Sequence, residues 1–116
     1  MPSKEDLNRL YHMLEAAREA VGYAKGRTRE DLKSDRQLTH SLIHCIEIVG
    51  EAANKVSAEY RRTNPRIHWD DMVGMRNRLI HAYFDVNLNI VWRTVKDELP
   101  QLITELANIL EAEPDQ

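Results

Sequence analysis

From Met75 to Tyr83 the chain reads Met-Arg-Asn-Arg-Leu-Ile-His-Ala-Tyr, placing two guanidinium groups, an amide, an imidazole and a phenol within nine residues. These residue types suit work on a phosphodiester. Histidine has the one unperturbed side-chain pKa near neutrality and serves as general base or acid. Arginine is a permanent planar cation that grips phosphate with two donors and offsets charge building on a phosphoryl group. Together His81 and Arg76 could cleave RNA without a metal: the imidazole activates a ribose 2'-hydroxyl against its own phosphate while the guanidinium holds the crowded phosphorus centre. DNA, which lacks that hydroxyl, would survive.

Other chemistry-bearing patterns are sparse. The chain has no G-x-G-x-x-G, no Walker lysine loop, no H-E-x-x-H and no paired cysteines, which excludes the nucleotide-dependent folds built on those loops. His40 and His44 stand four apart with Glu47 a turn further on, a spacing that could place two imidazoles and a carboxylate on one metal. Ser41 occupies the place of the zincin glutamate, and the same residues read equally well as a polar helix face. The single cysteine, Cys45, falls on an apolar seam, where a thiol behaves as an inert small hydrophobe. No metal and no cofactor are expected.

Helices must position these groups, because a period of 3.6 dominates the chain. Leu7, Leu10, Tyr11, Leu14, Ala17 and Val21 form a first apolar stripe that ends near Gly22 and Gly26. Thr28-Arg29-Glu30-Asp31 resembles a capping box in which the Thr28 hydroxyl accepts from an amide near Asp31. A long helix follows Ser34-Asp35. Leu38, Leu42, Cys45, Val49, Ala52 and Val56 make one of its faces, and Ile43, Ile46, Gly50 and Ala53 make a second beside it. Two apolar faces require two packing partners, one of which could be another copy of the chain. Gly50 costs roughly 1 kcal/mol in a helix interior relative to Ala, so its presence predicts close backbone approach.

Asn64-Pro65 breaks the chain between Arg61 and Ile67. The next helix starts near Trp69-Asp70-Asp71 and runs through Met72, Met75, Leu79 and Tyr83, faltering around Phe84 to Asn87. At about 100° per residue, Asn77 and His81 lie nearly in line on that helix, whereas Arg76 and His81 stand about 140° apart. Those two can meet on one ligand only through the arginine's reach, a distorted helix, or a second subunit. The last stripe, Leu88, Val91, Val95, Leu99, Leu102, Leu106 and Ile109, is interrupted by Pro100, which kinks or restarts its helix. The expected fold is all-α, an up-and-down bundle of four principal helices.

Composition sets the outer limits. With 116 residues, 42% hydrophobic and 30% charged, and only 4 Gly and 4 Pro, the chain fits a single helical domain over residues 1–116. No run approaches the ~18 apolar residues of a membrane span, and Met1 to Asp6 lacks the apolar core of a signal peptide, so a cytoplasmic protein without disulfides is expected. The net charge of −3 is mild, but from Arg61 to Arg93 six arginines face three aspartates. The acids crowd the end beyond Lys96. Phosphate could be met in the central segment, with Arg78 the next candidate RNA contact and Arg61, Arg62 and Arg66 candidate outer ones, although each of these arginines reads more simply as a solubilising or ion-paired surface residue.

Arg76-x-x-x-x-His81-x-Tyr83 resembles the R-x-x-x-x-H-x-Y motif of HepT-like toxins in the HEPN superfamily, the ribonuclease half of HEPN and minimal nucleotidyltransferase toxin-antitoxin pairs. Ile48-Val49-Gly50-Glu51-Ala52-Ala53, Ile67-His68-Trp69, Gly74-Met75-Arg76-Asn77 and Val91-Trp92 resemble the family's surroundings in the same order, over roughly residues 5 to 112. The resemblance implies a homodimer whose two motifs face each other across a cleft. It further implies metal-independent endoribonuclease activity with His81 and Arg76 catalytic, Asn77 the polar residue beside them, and Tyr83 the point where a partner nucleotidyltransferase antitoxin attaches AMP. Negative charge and bulk at Tyr83 would stand where RNA phosphate should sit. Glu51, Trp69 and Trp92 read as packing residues. The alternative is a noncatalytic subunit that binds a nucleotide or docks a nucleotidyltransferase through the same cleft.

Overall fold

A computed structural model describes residues 2–82 and 85–112. The described chain is predominantly helical. Helix α1 (Lys4–Ala24) is followed by the short α2 (Asp31–Ser34), the long α3 (Arg36–Lys55), α4 (Ala58–Thr63) and α5 (Trp69–Leu79). A two-stranded ribbon, β1 (Ile80–Ala82) and β2 (Asp85–Val86), precedes α6 (Leu88–Arg93), a π-helical turn (Thr94–Glu98) and α7 (Leu99–Ala112).

Local chemistry sets most of these boundaries. Ser3 caps α1 by accepting from the Asp6 amide at 3.0 Å, and Asp35 caps α3 by accepting from Leu38 N–H at 3.0 Å. The Thr28 motif works in the opposite sense from the sequence expectation. The Thr28 amide donates to the Asp31 carboxylate at 2.8 Å, and it is the acid that reaches back. Arg27 bonds both Asp31 and Asp35, at 3.3 and 2.8 Å, joining the two caps. The break expected from Arg61 begins later: α4 runs to Thr63, and Asn64, the residue before Pro65, is the first outside it.

Helix α1 packs against α3 on one side and α7 on the other, and α3 turns its second face to α5. Both apolar faces of α3 thus find partners within the chain. The core runs through Leu10, Met13, Ala17 and Ala20 of α1, Leu42, Ile46 and Val49 of α3, Met75 and Leu79 of α5, and Val91, Val95, Leu99 and Leu106. Tyr11, assigned to the first stripe from sequence, is 40% exposed, because the buried line passes through Leu10, Met13 and Leu14 instead. Trp69 is buried edge-on to Tyr60, with its indole N–H bonding Asn64 O at 3.0 Å. Trp92 is half-buried, with Lys96 Nζ over its ring.

Gly50 has the role its helix-interior position predicts. A Cβ built there would stand 2.8 Å from the Met72 carbonyl oxygen, so α3 and α5 approach backbone to backbone. Pro100, expected to kink or restart the last helix, is the second residue of α7, and the backbone is already helical at Thr94 and Leu99. The proline has no amide to give, and just before it the ladder widens, with Leu99 N–H reaching the Thr94 carbonyl.

Candidate active site

Helix α5 buries Trp69, Met72, Met75 and Leu79 along one stripe. That burial forces Arg76, Asn77 and Arg78 outward, and all three are exposed. The helix then stops earlier than the sequence suggested. A continuing helix would offer the Leu79 carbonyl to the amide of residue 83, but the Asn87 N–H takes that carbonyl at 2.8 Å. Ile80 turns to extended backbone, with φ −121° and ψ 109°, and pairs with Val86 in an antiparallel ribbon. A β-branched cross-strand pair and a non-local hydrogen bond outweigh helix propensity here. Ala82 faces Asp85, and an irregularity separates the two pairs.

The single helix from Trp69 to Tyr83 is accordingly corrected, and with it the alignment of Asn77 beneath His81. Arg76 and Asn77 lie in the last turns of α5, whereas the backbone of His81 is the middle residue of β1. The described part of His81 is its backbone alone. The assignment of Tyr83 falls outside the described residues.

Arg76 is held from across the helix pair. Its Nε donates to Glu47 Oε2 of α3 at 2.6 Å, with the arginine side chain 56% and the glutamate 36% exposed. Glu47 is therefore an arginine partner and not the third ligand of a metal site with His40 and His44. Both histidines are exposed on α3, and no group of three metal-ligating residues assembles among the described residues. Nothing local to the sequence links positions 47 and 76. The one available signal was Gly50, which announces that another backbone lies close to this part of α3.

Arg78 diverges from Arg76 and donates to Glu98 of the π turn at 3.3 Å. Glu98 borders an open hollow of about 430 Å³ that also takes in Arg66, His68, Gln101 and Glu105. Arg61 and Arg62 line a second hollow with Asp70 and Asp71, so the outer arginines share their surfaces with acids. Cys45 is buried, and desolvation, reinforced by Glu19, pushes its thiol up to about 11. It stays protonated at neutral pH and is unsuited to nucleophilic work.

These features define a helical protein with an exposed arginine of the R-x-x-x-x-H-x-Y motif at the end of one helix and the motif histidine on the adjoining strand. The chain belongs to the HepT-like ribonuclease family, whose profile matches residues 13–109, and with it to the enzymes that cut RNA. It is 36% identical over 104 residues to "Putative RNase TTE0752" of Caldanaerobacter subterraneus subsp. tengcongensis, covering 90% of this chain and 93% of that one. It is 38% identical over 93 residues to "Probable ribonuclease HepT" of Thermococcus cleftensis, covering 77% and 84% of the two chains. It is 31% identical over 110 residues to "Putative RNase MJ1216" of Methanocaldococcus jannaschii, covering 95% and 91%. No solved structure matches.

Proposed function

We propose that this chain is a metal-independent endoribonuclease toxin that works as a homodimer in the cytoplasm. In this reading it is silenced by a cognate minimal nucleotidyltransferase that adds AMP to Tyr83. The observation that carries the reading is the placement of Arg76: an exposed guanidinium on a rigid helix end, five residues before a histidine on the adjoining strand. The family membership supplies the substrate class. Among the described residues no helix is long and apolar enough to cross a membrane.

The chemistry follows from the two side chains. His81 as general base takes the proton of a ribose 2'-hydroxyl, whose oxygen attacks the adjoining phosphorus. Arg76 bonds the non-bridging oxygens and offsets the charge gathered there. The 5'-oxygen leaves with a proton, giving a 2',3'-cyclic phosphate and a 5'-hydroxyl end. Asn77, next to Arg76 and exposed, is in a position to touch the same phosphate, and Arg78 a neighbouring one. AMP on Tyr83, two residues from His81, would put a competing phosphate where the substrate's should lie.

The test is cleavage of a synthetic RNA by purified protein in the presence of chelator, read for 2',3'-cyclic phosphate ends. Loss of cleavage in His81→Ala, resistance of the matching DNA, and a mass gain on Tyr83 after co-expression with a minimal nucleotidyltransferase are expected. Undiminished cleavage by His81→Ala would sink the assignment of the base. Intact RNA with tight nucleotide binding would favour the noncatalytic subunit.

A further inference from the structure

The guanidinium of Arg76 has a single partner among the described residues, the Glu47 carboxylate, and that partner contacts Nε alone. A guanidinium offers a phosphate two bidentate edges: side-on through Nε and one Nη, or end-on through both Nη groups. With Nε committed to Glu47, the end-on fork is the one left open. Glu47 sits on α3 three residues before Gly50 and Arg76 on α5 four residues after Met72, so the carboxylate and the arginine are borne beside the point where the two helix backbones approach each other.

We propose that Glu47 is the positioning residue of the site. It accepts from Arg76 Nε, fixes the plane of the guanidinium, and presents both Nη groups to the scissile phosphate. The inference rests on the reading of Arg76 as the phosphate ligand. An exposed ion pair contributes little to stability, so the role of this one lies in orientation, where misplacement by about 1 Å costs about a hundredfold in rate. Because the benefit is realised as charge builds on the phosphate, it belongs in kcat and not in KM.

The experiment uses the full chain and a fluorescent RNA oligonucleotide that it cuts. Glu47→Ala should lower kcat about tenfold to a hundredfold, with KM within threefold and an unchanged melting temperature. Glu47→Gln, whose amide oxygen still accepts from Nε, should recover most of that loss. In an Arg76→Ala background, Glu47→Ala should have no further effect. Wild-type kinetics in Glu47→Ala, no rescue by Gln, or losses that simply multiply in the double variant would each overturn the positioning role. If Arg76→Ala abolishes cleavage while Glu47→Ala is normal, only the positioning role fails. If Arg76→Ala cleaves like wild type, the phosphate-ligand reading fails and takes this one with it.

Discussion

Gly50 and the Met72 carbonyl meet so closely that a methyl group on Gly50 would stand 2.8 Å from the oxygen. No flexible side chain can yield there, because both sides of the contact are backbone. Glycine's helix penalty at position 50 is the cost of bringing α5 onto α3.

Gly50→Ala should therefore destabilise the protein, although alanine is the better helix former. The expected loss is about 1–3 kcal/mol, typical of overpacking, seen as a melting temperature lower by several degrees. Cleavage should fall as well, since the displaced helix carries Arg76. An Ala variant as stable as wild type would show that α5 moves aside freely.

Arg76→Lys keeps the charge and loses the planar fork. Single-turnover cleavage should drop about 10²- to 10³-fold, as when an oxyanion donor is removed, while circular dichroism stays unchanged. A lysine variant of near wild-type rate would mean that charge alone suffices.

The raised thiol of Cys45 makes two measurements sharp. Native protein should resist alkylation at pH 8, and the denatured chain should react quickly. The folded state holds this proton more tightly than the unfolded chain, so stability is lost as pH rises from the ordinary thiol range toward about 11. Cys45→Ala should cut RNA at the wild-type rate and lose that alkaline limb.

Asp31 and Asp35 report on acid. The Thr28 amide, and then Arg27, hold the Asp31 carboxyl below the ordinary carboxylate range. Arg27, and then the Leu38 amide, do the same for Asp35. Their stabilisation is present above the unfolded value of about 3.9 and disappears as pH falls through the depressed folded values. Urea midpoints at pH 7 and pH 3 should differ less in Asp35→Asn than in wild type.

Asp6 is buried and accepts both the amide and the hydroxyl of Ser57, at 2.9 and 2.7 Å, tying the start of α1 to the cap of α4. Asp6→Ala leaves those donors without their acceptor and should cost about 1–3 kcal/mol. Equilibrium unfolding in urea measures it, and a cost near zero would mean that water replaces the carboxylate.

Much of this was legible from residue order. The starts of α3 after Asp35 and of α5 at Trp69 follow from local rules, and the two faces of α3 and the pressure on Gly50 are marked in the sequence although what they meet lies on other helices. The end of α5 was not. No glycine or proline marks it, and the competitor for the Leu79 carbonyl is Asn87, eight residues away along the chain. The partner of Glu47 was hidden for a similar reason. Its neighbours in sequence are histidines, while its partner is 29 residues distant.

The passage from α5 to β1 at residue 80 also governs how damage to this protein would show itself. Arg76 and His81 are related through a ribbon of three residues against two, too small to register in a far-ultraviolet spectrum dominated by helices. A substitution at Ile80 or Val86, both packed against the core, could separate Arg76 from His81 while leaving the helical spectrum and hydrodynamic size untouched. Such a protein would look intact by helical content and still be inert, so turnover is the sensitive report on the ribbon.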